Sequence, residues 1–165
     1  MALEIERRFL IKNDNWKEFI TKKVFIEQGY LSKSLDDWII RIRFTGEDFK
    51  LALKKHIESF TNFEFEYSIP QKDGEKIMST LTNIIKKERF FLEVENKYWV
   101  IDCFKEKNYP LEIAEIELLN EGENLNLPSF VSKEITGLKH YSNFNLANNP
   151  FSNWREDYLT TLKHN

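Results

Sequence analysis

Polar and apolar positions alternate with period two along most of this chain. Residues 2–11, ALEIERRFLI, set Glu4, Glu6 and Arg8 on one side and Leu3, Ile5, Phe9 and Ile11 on the other. That is the spacing of a β-strand, whose successive side chains point to opposite faces. The same alternation, rich in Phe, Ile, Val, Tyr and Trp, predicts eight strands at roughly 3–11, 24–31, 38–45, 49–56, 61–69, 87–95, 97–104 and 111–119. Gly46-Glu47-Asp48 and Glu95-Asn96-Lys97 mark hairpins between the third and fourth and between the sixth and seventh. Helical spacing predicts a short helix in NDNWKEFITKK (13–23), capped by Asn13 or Asp14, and another over 71–86, carrying Ile77, Leu81, Ile84 and Ile85. Beyond Pro128 the pattern reads as helix three more times, in SFVSKEI (129–135), NLANN (145–149) and SNWREDYLTTL (152–162). The expected fold is mainly β with peripheral helices (α+β). Eight antiparallel strands in so short a chain lose their exposed edges most simply by closing into a barrel.

The polar rows are unusual. They come as ordered pairs: Glu4 and Glu6, Arg41 and Arg43, Glu64 and Glu66, Lys87 and Arg89, Glu115 and Glu117. A solvated sheet face normally mixes in Ser, Thr and Gln, and like charges two residues apart repel unless opposite charges face them. If these rows line a lumen, six cations (Arg8, Arg41, Arg43, Lys54, Lys87, Arg89) meet seven carboxylates (Glu4, Glu6, Glu64, Glu66, Asp102, Glu115, Glu117). Such an interior holds water and ions, and the apolar rows must pack outward. Arginine and lysine clamp phosphate oxygens, whereas carboxylates repel them unless a hard divalent cation lies between. The two sets together point to metal-dependent chemistry on a compact polyphosphate.

Composition narrows the picture further. The 165 residues suit one domain, 1–165, with 41% hydrophobic and 31% charged residues. A formal charge of −3 gives no general attraction to nucleic acid or anionic membrane, so neither is expected as a partner. Cys103 is the only cysteine, which excludes an intrachain disulfide and a cysteine metal cluster. It shares a row with Trp99 and Ile101 and reads as an inert thiol. No apolar run has membrane-spanning length and the N-terminus lacks a signal-like stretch, so the expected location is cytoplasmic.

EIERRFL (4–10) resembles the E-x-E-x-K signature that opens the CYTH superfamily, the triphosphate tunnel metalloenzymes. EQGYL (27–31), RIR (41–43), LALKK (51–55), EFEYSIP (64–70), KKERF (86–90), VID (100–102), IAEIEL (113–118) and HYSNFNLANNPFSNW (140–154) extend the resemblance in order. It is similar above all to the small stand-alone bacterial branch. The resemblance implies an eight-stranded antiparallel tunnel with a charged interior and metal-dependent hydrolysis or cyclisation of triphosphates, with Mg²⁺ or Mn²⁺ as cofactor. It places Glu4, Glu6, Glu115 and Glu117, with Asp102, Glu64 and Glu66 behind them, on the metal. Arg8, Arg41, Arg43, Lys54, Lys87 and Arg89 fall on the triphosphate, and Tyr30, Lys54 and Lys87 are the catalytic candidates. Three positions depart from the pattern: Arg8 stands where Lys is usual, Ser68 where a third Glu is common, and Cys103 where Glu is common. Inorganic triphosphate is the leading substrate, ahead of ATP or thiamine triphosphate. The alternatives are a class IV-type adenylyl cyclase and a non-catalytic polyphosphate sensor, and a homodimer through an outer barrel face is left open.

Overall fold

The first strand organises the molecule. In the computed structural model, which describes residues 3–32 and 38–156, β1 (Leu3–Ile11) pairs antiparallel with β8 (Glu112–Glu117) along one edge. Its first three residues pair with β5 (Thr61–Ile69) along the other. Between β5 and β8 the sheet runs through β4 (Phe49–Glu58), β3 (Ile39–Phe44), β2 (Ile20–Tyr30), β6 (Ile84–Val94) and β7 (Lys97–Phe104). The β1–β5 pairing closes these eight strands into the expected barrel.

Local signals explain the tight joins. Glu95 and Asn96 both take positive φ (50° and 61°) between the paired Val94 and Lys97, the two-residue turn that matches strand twist in a hairpin. Gly46, at φ +87°, turns β3 into β4. Asn13 caps a short 3-10 helix, Asp14–Phe19, by accepting a hydrogen bond from the Asn15 amide.

Three helix expectations are corrected. The segment 129–135 contains not a helix but a ninth strand, β9 (Val131–Glu134), on β1 at Phe9 and Ile11. Because β5 covers only the first third of β1, the rest of that edge needs another partner for its backbone groups, and β9 supplies it. The 71–86 helix stops at α1 (Gln71–Met78), since Ile84 and Ile85 pair with Gly29 and Gln28 as the start of β6. The helix expected over 13–23 ends at Phe19, and β2 begins at Ile20. The C-terminal expectations resolve into α2 (Asn143–Asn148) and a 3-10 turn, Phe151–Asn153. Most of the 152–162 helix lies outside the described residues.

Two apolar cores support the barrel differently. The outer one joins Phe9, Trp16, Leu92, Trp99, Ile101, Ile116 and Phe130 beneath the Asp14–Phe19 turn. The other plugs one end. Leu10, Ile85, Phe104 and Ile113 share the strand faces of Arg8, Lys87, Asp102 and Glu115, and they pack there against Leu111, Ile135, Tyr141, Leu146 and Phe151. The inner rows thus turn from ionic to apolar at that end. A smaller cluster of Ile42, Phe49 and Met78 seats α1 on β3 and β4. Gly74 makes this possible, because a Cβ there would lie 2.1 Å from the Phe49 ring.

Candidate active site

Strand alternation aims every one of the thirteen expected charged residues at the lumen. Twelve of them line two adjoining cavities, of about 270 and 200 Å³, that share Glu6, Arg41 and Lys54. The thirteenth, Asp102, is completely buried in the wall. The larger cavity is walled by charge. The smaller adds Tyr30, Ile39, Ala52 and Phe144.

On the β6–β7–β8 side the charges are locked. Asp102 receives both prongs of Arg89 at 2.7 Å and the Lys87 ammonium at 2.5 Å. Glu115 takes the second contact of Arg89 at 2.7 Å and Arg8 Nε at 3.0 Å. Lys87 is only 1% exposed and Glu115 3%. Burial by itself raises a carboxylate pKa, but Arg89 and Lys87 outweigh it at Asp102 and hold that acid far below its usual range. The same contest, with Asp102 adding to burial and Arg89 and Arg8 opposing both, leaves Glu115 lowered. Burial draws Lys87 down to about 8 against the pull of Asp102.

The β3–β4–β5 side is looser. Arg41 reaches Glu64 at 2.8 Å and Glu66 at 3.2 Å, Arg43 also grips Glu66, and Lys50 donates to Glu66 at 3.0 Å. Lys54 bridges Glu4 and Glu64. Burial, reinforced by Glu6, pushes Glu4 up to about 8. Glu64 is instead held at about 2, where its hydrogen bond with Glu4 and the charges of Arg41 and Lys54 overcome its burial. Glu6 is raised by burial and by Glu115. Glu117 lines the larger cavity from the exposed end of β8.

Two features bear on what this bore accepts. Arg8 Nη2, Arg41 Nε and Arg43 Nε are buried without a hydrogen-bond acceptor, so three cationic donors lack the partners that buried groups ordinarily have. Among the described residues no three acidic or imidazole side chains form a ready-made cation cage. Yet Glu4 and Glu64 share a hydrogen bond, and Glu4 and Glu6 are both raised by burial and then by the neighbouring carboxylates. Hard oxygen donors burdened with excess negative charge fit Mg²⁺ or Mn²⁺.

Tyr30 faces the lumen, its hydroxyl accepting from Gln28 at 2.7 Å and its ring edge-on to Phe144, and burial raises its pKa to about 12. Cys103 lies outside, donating to Glu112, and is raised by burial and by that carboxylate. Asn143, which the sequence pattern did not single out, lines both cavities and accepts from Lys87 at 3.1 Å. Alternation finds strand residues. Asn143 arrives from a C-terminal helix and carried no such signal.

No protein-family profile matches the chain. It is 33% identical over 158 residues to an inorganic triphosphatase of Acetivibrio thermocellus, covering 94% of this chain and all of that one. The chain belongs to the triphosphate tunnel metalloenzyme (CYTH) family. A second inorganic triphosphatase, from Nitrosomonas europaea, is 27% identical over 87% of this chain and 96% of its own. Among solved structures, the crystal structure of an inorganic triphosphatase superposes with a TM-score of 0.66 at 27% identity, covering 89% of this chain and 95% of that one. As a tunnel metalloenzyme the chain has its signature on β1, with Arg8 seated on Glu115 where the signature usually has Lys. No helix among the described residues is long and apolar enough to cross a membrane.

Proposed function

We propose that the protein, as one catalytic unit over residues 1–165, hydrolyses inorganic triphosphate with Mg²⁺ or Mn²⁺. One observation carries this reading. Six cationic side chains line two adjoining cavities inside one barrel, in a chain that matches an inorganic triphosphatase along 94% of its length. A compact anion with several charges suits such a wall, and the three unpartnered guanidinium nitrogens supply donors for its oxygens.

Arg41, Arg43 and Lys54 hold the phosphates from the looser side. Lys54 keeps its charge despite burial, because Glu6 and Glu4 raise its pKa. Lys87 and Arg89 face them from the other side, oriented by Asp102. Arg8 adds a donor that stays protonated, so it acts by charge and not by proton exchange. Glu4, Glu6 and Glu64 would hold the metal, with Glu66 and Glu117 beside them. Asp102 and Glu115 are so fully engaged by cations that they serve as supports. When bound, the ion would supply charge neutralisation for the phosphate groups. Tyr30, raised by burial to about 12, keeps its proton at neutral pH, so it would serve as a hydrogen-bond donor in the chamber next to the bore and not as a base. Lys87, drawn by burial to about 8, can exchange a proton near neutrality.

An organic triphosphate would have room for its organic end against Ile39, Ala52 and Phe144. The decisive experiment is a screen of tripolyphosphate, thiamine triphosphate, ATP and pyrophosphate with Mg²⁺ and Mn²⁺, assaying phosphate and cyclic AMP. Phosphate release led by tripolyphosphate is expected. Cyclic AMP from ATP without phosphate release would establish the cyclase instead, and tight binding without turnover would establish a sensor.

A further inference from the structure

We infer that Asn143 is a substrate-binding residue of the bore, holding the Lys87 ammonium with its carbonyl oxygen and donating its amide N–H to a phosphate oxygen. The inference rests on the triphosphate reading above and extends it to a residue outside the charged rows.

The orientation of the amide is set by its neighbour. An ammonium group has donors and no acceptor, so the Asn143 atom 3.1 Å from Lys87 Nζ must be the oxygen, Oδ1. The Nδ2 end therefore points elsewhere. It has no protein acceptor among the described residues, although Asn143 lines both cavities. Among the described residues only Glu6, Arg41, Lys54 and Asn143 line both, so the amide stands where the charged bore meets the smaller chamber. A neutral donor there suits an anion, and it adds no charge that would tighten the ion pairs around it.

Asn143 is also held firmly. Ser142 caps α2 by accepting from the Asn145 amide at 3.2 Å. Phe144 and Leu146 bury the helix against the barrel end. Buried Asn108 ties it down, donating to the Leu146 carbonyl at 3.2 Å and accepting from the Phe151 amide at 2.7 Å. These contacts fix the backbone that carries the amide, so a phosphate meets a preorganised donor.

The test compares wild type with Asn143→Ala and Asn143→Asp, reading tripolyphosphate affinity by calorimetry in chelator-treated buffer. Alanine removes both hydrogen bonds. Aspartate keeps an acceptor for Lys87, removes the donor and adds repulsion toward phosphate. The expected result is a loss of about tenfold in the alanine variant, in line with one hydrogen bond to a charged group, and a larger loss in the aspartate variant. Thermal melts should agree among the three proteins. If the alanine variant does not fold, the aspartate variant still decides the question, since Asp is well tolerated at the start of a helix. An alanine variant within about twofold of wild type, or an aspartate variant binding as tightly as alanine or tighter, overturns the inference. Its failure is separable from failure of the catalytic reading. Wild-type hydrolysis with indifferent variants sinks Asn143 alone, whereas graded binding without any hydrolysis sinks the enzyme and leaves Asn143 standing.

Discussion

The two walls of the bore carry similar groups and hold them in opposite ways. On the β6–β7–β8 wall, Asp102 and Glu115 are almost fully buried, and Lys87, Arg89 and Arg8 saturate them through short contacts. On the β3–β4–β5 wall, the side chains of Arg41, Arg43, Lys54, Glu64 and Glu66 keep 15–29% exposure, and Glu4 shares a hydrogen bond with Glu64. The outside of the barrel explains the difference. The first wall is backed by the Trp16–Trp99–Phe130 core and the apolar plug, whereas α1 covers only part of the second, leaving Phe63, Phe65 and Tyr67 exposed. A backed wall can bury ion pairs at fixed positions. A thinly covered wall leaves its carboxylates and Lys54 partly exposed. One wall is a support and the other a grip.

The sharpest way to break this contrast is Asp102→Ala. It strands two buried cations and should cost about 3–5 kcal/mol in urea unfolding, with turnover lost. A cost below about 1 kcal/mol would mean that this wall is no more committed than the other. Next comes Arg41→Ala, which should weaken tripolyphosphate binding in calorimetry by about 1.5–3 kcal/mol while stability changes far less. If it destabilises as much as Asp102→Ala, the second wall is structural too.

A smaller effect follows from Glu4. Its pKa in the folded protein is raised from 4.5 to about 8, so between those values the folded chain binds a proton that the unfolded chain has released. This group's contribution to stability therefore declines as pH rises through that window, and it is largest on the acid side. Glu4→Gln should flatten the decline in urea midpoints measured from mildly acidic to mildly alkaline pH. A steeper decline in the variant would show that the carboxyl is not held protonated. The smallest effect belongs to Arg7, beside Arg8 in sequence but outside the barrel. Its pair with Glu134 leaves the two side chains 24% and 40% exposed. Arg7→Ala should cost about 0.2–1 kcal/mol and leave turnover unchanged. A loss of activity there would undo the assignment of faces.

Period two, read along β1, β3, β5, β6 and β8, was enough to give the strands, the barrel and the inward aim of the charged rows. Strand alternation is a local property of the backbone, and paired like charges make sense only where opposite charges face them. The β9 strand was not legible, because VSKE has no strong pattern and is extended by the unpaired edge of β1. Ile84 and Ile85 misled for a related reason, since adjacent apolar residues satisfy helical spacing and strand pairing alike. Asn143 falls inside the HYSNFNLANNPFSNW stretch of the resemblance, but its role was not legible, because a neutral amide on a short helix has no periodic partner to betray it.

By itself, the sequence determined which residues are charged, which of them share a face, and that such rows, if they line a lumen, enclose something wet and ionic. Tertiary structure alone decided which acid meets which base, how far each pKa moves, and that one end of the lumen is stopped by apolar side chains. Those outcomes depend on distances between strands far apart in the chain and on how deeply the packing around them excludes water. Neither quantity is written in any short stretch of residues.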